Sequence, residues 1–180
     1  MHRAGESPLP EHDRVTKPER FAPIVDAARA EIARLVSSYD VAVTQGPGCD
    51  DELESRRMVV SVVRLTPARV DAAPLTFAFT PFPGVYMRFG RWHTSAYPPC
   101  GCDACDSSVE DLIEQLTADI RSVVDGDFSE SLTRGLRPRL SHTFRFGMMS
   151  KSIESKIGRP TARRLGRPRR IAWSAWTAHL

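Results

Sequence analysis

Two runs of alternating apolar residues, joined by Pro81-Phe82-Pro83-Gly84, limit the folds open to this chain more than any other feature. Leu75, Phe77 and Phe79 alternate with Thr76, Ala78 and Thr80. Beyond the turn, Val85, Met87 and Phe89 alternate with Tyr86, Arg88 and Gly90. A period of two places each set on one face of a pleated strand, and the proline- and glycine-rich turn folds the second strand back on the first. Register is tightly specified, because a slip by one residue would carry the phenylalanine row to the opposite face.

The flanking patterns extend this hairpin into a layered fold. Phe21, Ile24, Val25, Ala28, Ile32, Leu35, Val36 and Tyr39 recur at spacings of three and four, which predicts an amphipathic helix from about Arg20 to Tyr39. A second stripe, Val109, Leu112, Ile113, Leu116, Ile120 and Val123, follows Ser107 or Ser108 as its cap and stops at Gly126. Val41-Ala42-Val43, the β-branched run from Met58 to Leu65, the alternation from Leu140 to Phe146, and Ile171 to Trp176 read as further strands. Phe128 to Leu136 reads as a short helical turn. Ser152 to Ile157 and Thr161 to Leu165 are each compatible with a short helix, with Gly158, Pro160, Gly166 and Pro168 barring a longer one. The expectation is an α+β fold: one antiparallel sheet of about five or six strands with two main helices packed on one face.

At 180 residues and 41% hydrophobic content, the chain can bury an ordinary core without disulfides. Residues 1–20, with Pro8, Pro10 and Pro18 among acidic side chains, read as a disordered N-terminal extension, and residues 21–180 as a single domain. No secretory leader is evident. No run approaches the roughly 18 apolar residues of a membrane span, so the expected location is the reducing cytoplasm, with no membrane partner. Charge is unevenly spread: residues 1–133 carry 13 Lys and Arg against 21 Asp and Glu, whereas residues 134–180 carry 12 against 1.

Cys100-Gly101-Cys102-Asp103-Ala104-Cys105-Asp106 concentrates three of the four thiols within six positions. Such a C-x-C-x-x-C turn can aim several sulfurs at one point, as a thiophilic metal such as zinc requires. Cys100, Cys102 and Cys105 supply three ligands, and the fourth would be Cys49, His93 or Asp103. Against this, a standard zinc module pairs two such knuckles, and a reduced thiol-rich turn is the plainer account. A thiol-redox reading rests on Cys102 and Cys105 ahead of a helix, but antiparallel strands precede them in place of a βαβ unit.

The stretches Ala73-Pro74-Leu75-Thr76-Phe77, Phe82-Pro83-Gly84-Val85-Tyr86, Gly90-Arg91-Trp92, the cysteine turn and Phe128-Ser129-Glu130-Ser131 resemble an uncharacterised actinobacterial family, domain of unknown function 6226. The closing Trp173-Ser174-Ala175-Trp176 is similar to that family's tryptophan-rich end. The resemblance runs from about Phe21 onward. It implies a cytoplasmic actinobacterial protein and supplies no activity, cofactor or catalytic residue.

Two other features invite functional readings. Arg163, Arg164, Arg169 and Arg170 belong to a basic segment that, with Trp173 and Trp176, offers contacts to nucleic acid; neutralisation of the acidic preceding region is the favoured account. Tyr86, Arg88 and Trp92 fall on one face of the second hairpin strand and would form a binding surface, or else a cation–π edge packing. No catalytic triad or nucleotide loop is recognisable. The expectation is a non-catalytic binding or structural protein whose cysteine turn can hold zinc. The alternatives are a thiol-redox or other enzyme using that turn, and a nucleic-acid binder.

Overall fold

The computed structural model describes residues 14–50, 53, 59–105, 108–167 and 169–179. A 3-10 turn, Pro18–Phe21, leads into α1 (Ala22–Ser38), with proline at the start of each, where a missing N–H leaves nothing unsatisfied. α1 turns Ile24, Ala28 and Leu35 inward, as the spacing predicts. Its partner α2 (Val109–Val124) is capped by Ser108, whose hydroxyl accepts from the Asp111 N–H at 3.0 Å. Ser107, the other expected cap, lies outside the described residues, as does Met58.

Five strands form a simple antiparallel meander: β1 (Val41–Gln45), β2 (Ser61–Pro67), β3 (Leu75–Thr80), β4 (Gly84–Phe89) and β5 (His93–Tyr97). The β3–β4 hairpin pairs Phe77 with Met87 and Leu75 with Phe89, the register its alternation requires. The aligned row Leu65, Leu75, Phe89 and His93 faces the interior, as do the flanking pairs Phe77–Met87 and Phe79–Val85. On the outer face, Cys49 and Leu53 of the β1–β2 connection cover Val62 and Ala78.

A second antiparallel sheet, ordered β8-β7-β6-β9, comprises β6 (Phe128–Thr133), β7 (Arg139–Phe146), β8 (Met149–Lys156) and β9 (Arg169–Ala172). The expected single sheet is therefore two sheets, of five and four strands. The difference arises at two places. Phe128 to Leu136 is a strand where a helical turn was expected, because β7 on one side and β9 on the other satisfy its backbone. Ser152 to Ile157 likewise belongs mainly to β8, whose polar side chains suit a sheet edge. The short α3 (Arg159–Arg164) does follow.

α1 lies against α2 and β4, and α2 against β7, so the helix pair touches a strand of each sheet. The sheets meet through aromatic rings. Phe89 approaches Phe144 edge-on at 5.4 Å and Phe128 at 6.5 Å, while His93 lies against His142 at 3.7 Å between centroids, the rings tilted by 33°. The segment after β9 then runs back across both sheets. Trp173 N–H donates to the Phe128 carbonyl, Trp176 N–H to Val124, and the Trp176 indole to Ala73 at 2.9 Å.

Candidate metal centre

The cysteine turn lies between the end of β5 and the start of α2. Phe82, at the tip of the β3–β4 hairpin, supports it: a Cβ on Gly101 would fall 2.3 Å from the Phe82 ring, so only glycine lets the turn lie this close. Phe82 in turn packs on Phe21 at 5.8 Å. Asp103 fixes the other side. Its carboxylate accepts from Arg14 Nε at 3.0 Å, from the Thr16 N–H at 2.8 Å and from the Thr16 hydroxyl, and its own N–H donates to the Arg14 carbonyl. The Thr16 N–H foremost, with Arg14, holds the Asp103 carboxyl below its usual range. Residues 14–20, the described part of the expected disordered extension, thus run along the turn and into the 3-10 helix.

This frame brings three sulfurs together. Cys100 Sγ lies 3.1 Å from Cys102 Sγ, which lies 3.4 Å from Cys105 Sγ, and the three fit within 4.8 Å of one another. Cys102 is buried and Cys100 exposed, so the group opens to solvent on one side. The Cys102 N–H points at Cys100 Sγ at 3.5 Å and, with the neighbouring thiols, lowers the Cys100 pKa. Hydrogen bonding to Cys102 pushes the Cys105 thiol up to about 11. That is the wrong direction for a reactive C-x-x-C pair. Three sulfurs clustered this closely are well matched to a cation that would take all three as thiolates.

None of the three expected fourth ligands joins them. His93 is buried in the interior on β5, its Nε2 3.1 Å from the Ser95 hydroxyl and its ring against His142 and Phe89. Its inward register position sets it there, and its inclusion in the metal set is corrected accordingly. Cys49 packs with Leu53, Val62 and Ala78 on the outer face of the first sheet. Asp103 is engaged by Arg14 and Thr16. Among the described residues, the cluster offers three ligands.

A family model described as a family of unknown function (DUF6226) matches residues 1–179. The chain belongs to the DUF6226 family. No curated protein and no solved structure matches it. No helix among the described residues is long and apolar enough to cross a membrane.

In this DUF6226 chain the expected binding surface of Tyr86, Arg88 and Trp92 is mostly covered. Arg88 is buried and clamps Asp50 through Nε and, at 3.1 Å, through a terminal nitrogen; Tyr86 packs on the cluster around Cys49. Trp92 is buried under the guanidinium groups of Arg91 and Arg169, at 5.8 and 5.6 Å from its centroid, so the cation–π account prevails there. Arg163 and Arg164 end α3, and Arg169 and Arg170 begin β9; all four are exposed.

Two buried polar groups in the DUF6226 fold escaped the sequence analysis. Glu130, on β6, accepts from the Arg91, Trp92 and His93 N–H groups at 2.8–2.9 Å and from the Trp173 indole at 3.1 Å. Burial raises its pKa, opposed by these four donors. Asp119, on α2, accepts from the Tyr97 hydroxyl at 2.6 Å and pairs with Lys151 at 3.1 Å; burial holds the Tyr97 hydroxyl far above its ordinary range. A charged residue inside the α2 apolar stripe was the available signal for Asp119.

Proposed function

We propose that this protein is a non-catalytic domain of the cytoplasm, spanning residues 21–180, whose C-x-C-x-x-C turn binds one thiophilic metal ion, zinc in the first instance. The observation that carries the reading is the convergence of Cys100, Cys102 and Cys105 sulfurs within 4.8 Å on a turn fixed from both sides. Thiolates near 2.3 Å from zinc suit such a cluster, and a water or a partner's side chain completes the tetrahedron. Because Asp103 within the turn holds Arg14 and Thr16, the ion would stiffen the attachment of residues 14–20 to the start of α2. Thiols this close together, with Cys100 exposed and Cys105 half-buried, favour a reducing compartment.

The test is mass spectrometry of untagged protein under native and denaturing conditions. Retention of one metal ion in the native spectrum only, lost in Cys102→Ser, supports the reading. Less than roughly a tenth of an equivalent of any transition metal in the native protein, after growth in zinc-supplemented medium, rejects it.

A further inference from the structure

At the opposite end of the β3–β4 hairpin from the cysteine turn, some 20 Å away by strand length, the outer face of the first sheet opens into a cleft of about 600 Å³ lined by Arg64, Arg69, Arg88 and Arg91 with Asp50 and Trp173. Register builds it. Arg64 on β2 aligns with Thr76 on β3, which aligns with Arg88 on β4, so the two arginines stand on one face across three strands. Arg69 follows β2, and Arg91 lies in the β4–β5 turn.

Among the described residues, arginines outnumber carboxylates along the cleft. Asp50 is taken by Arg88, and Asp71 holds Arg69 at 2.8 and 3.0 Å. Among the described residues, Arg64 and Arg91 meet no carboxylate: Arg64 reaches only the Cys49 carbonyl at 3.4 Å, and Arg91 lies over the Trp92 ring. The walls are held from behind. Glu130 fixes the backbone of Arg91 and the indole of Trp173 with the same oxygen, and Asp50 splints Arg88. Guanidinium groups lining a cleft of this size are a usual recognition chemistry of phosphate groups, which accept their paired N–H donors two at a time.

We propose that this cleft is a binding site for a small phosphate-bearing ligand, gripped by Arg64 and Arg91, with the Trp173 ring forming an apolar wall for the body that carries the phosphate. The site shares no residue with the cysteine turn, so it stands or falls apart from the metal reading.

Isothermal titration of the whole chain with inorganic pyrophosphate, at constant ionic strength, tests it. Saturable binding at one site is expected, weakened about tenfold or more by Arg91→Gln and by Arg64→Gln, and unchanged by Arg163→Gln on α3. Arg91 is exposed, so its variant retains the fold; an unliganded melting curve matching the parent confirms that for each variant. Absence of saturable binding at millimolar pyrophosphate overturns the proposal. So does binding that both cleft substitutions leave intact, and citrate binding as tightly as pyrophosphate overturns the assignment to phosphate.

Discussion

Glu130 and Trp173 are 43 residues apart, on separate segments of the chain, and the 3.1 Å hydrogen bond between them closes a cage of four N–H donors around one buried carboxylate. The other three donors belong to the β4–β5 turn and the first residue of β5, so a single side chain of the second sheet organises the first. Glu130→Ala leaves those donors buried without an acceptor and is expected to destabilise the fold by about 4 kcal/mol in urea titration. Glu130→Gln is expected to be nearly as damaging, because its amide NH2 must face N–H groups. A Gln variant of parental stability would show that the cage contributes little.

Gly90 adjoins this cage at a φ of +62°, where a Cβ would stand 2.6 Å from Glu130 Oε2 and 2.9 Å from the Trp173 indole nitrogen. Gly90→Ala combines a left-handed backbone with a displaced carboxylate. A loss of at least about 2 kcal/mol is expected, read as a lowered melting temperature.

His142 is buried with neither ring nitrogen bonded, and burial, with Lys151 nearby, lowers its pKa to about 4; burial, His142 and Lys151 lower that of His93 to about 3. The unfolded chain, with both rings near 6.5, then binds more protons than the folded one as pH falls below that value. Stability is therefore unaffected by these rings above about pH 7 and declines as pH drops toward 4, by at most about 1.4 kcal/mol per pH unit for each ring. His142→Phe is expected to reduce that slope, so that its stability relative to the parent improves between pH 7 and pH 5. An equal loss of stability in variant and parent between the two pH values, measured by denaturant titration, would contradict this.

The N-terminal segment reports on the cysteine turn. Asp103→Ala removes the acceptor for Arg14 and Thr16, which are exposed, so the melting temperature should scarcely move while tryptic cleavage after Arg14 accelerates severalfold. Under the metal reading, chelation by EDTA should accelerate the same cleavage in the parent protein. Equal cleavage with and without EDTA would separate the segment from the metal.

Local periodicity revealed those elements whose faces are cleanly apolar: both main helices, the β3–β4 hairpin and β7. It failed at β6, where Glu130 stands at the inward position between Phe128 and Leu132 and breaks the apolar alternation. β5 and β8 are short of apolar residues because β5 ends its sheet and β8 is an edge. The three sulfurs were legible because they are neighbours in sequence. The exclusion of His93 was not, since it depends on how two sheets pack. Nor was the arginine cleft, because Arg64 and Arg88 meet only through the register of three strands.

The segment from Trp173 to Trp176 that bonds to Phe128, Val124 and Ala73 also has a consequence for biosynthesis. Until it has left the ribosome, the nascent chain carries Glu130 without its indole donor and Ala73 with an unclaimed carbonyl. The first sheet and the β6–β7–β8 part of the second can pair beforehand, but β9 directly precedes Trp173 and is added together with those tryptophans, leaving an interval in which one edge of β6 stands unpaired.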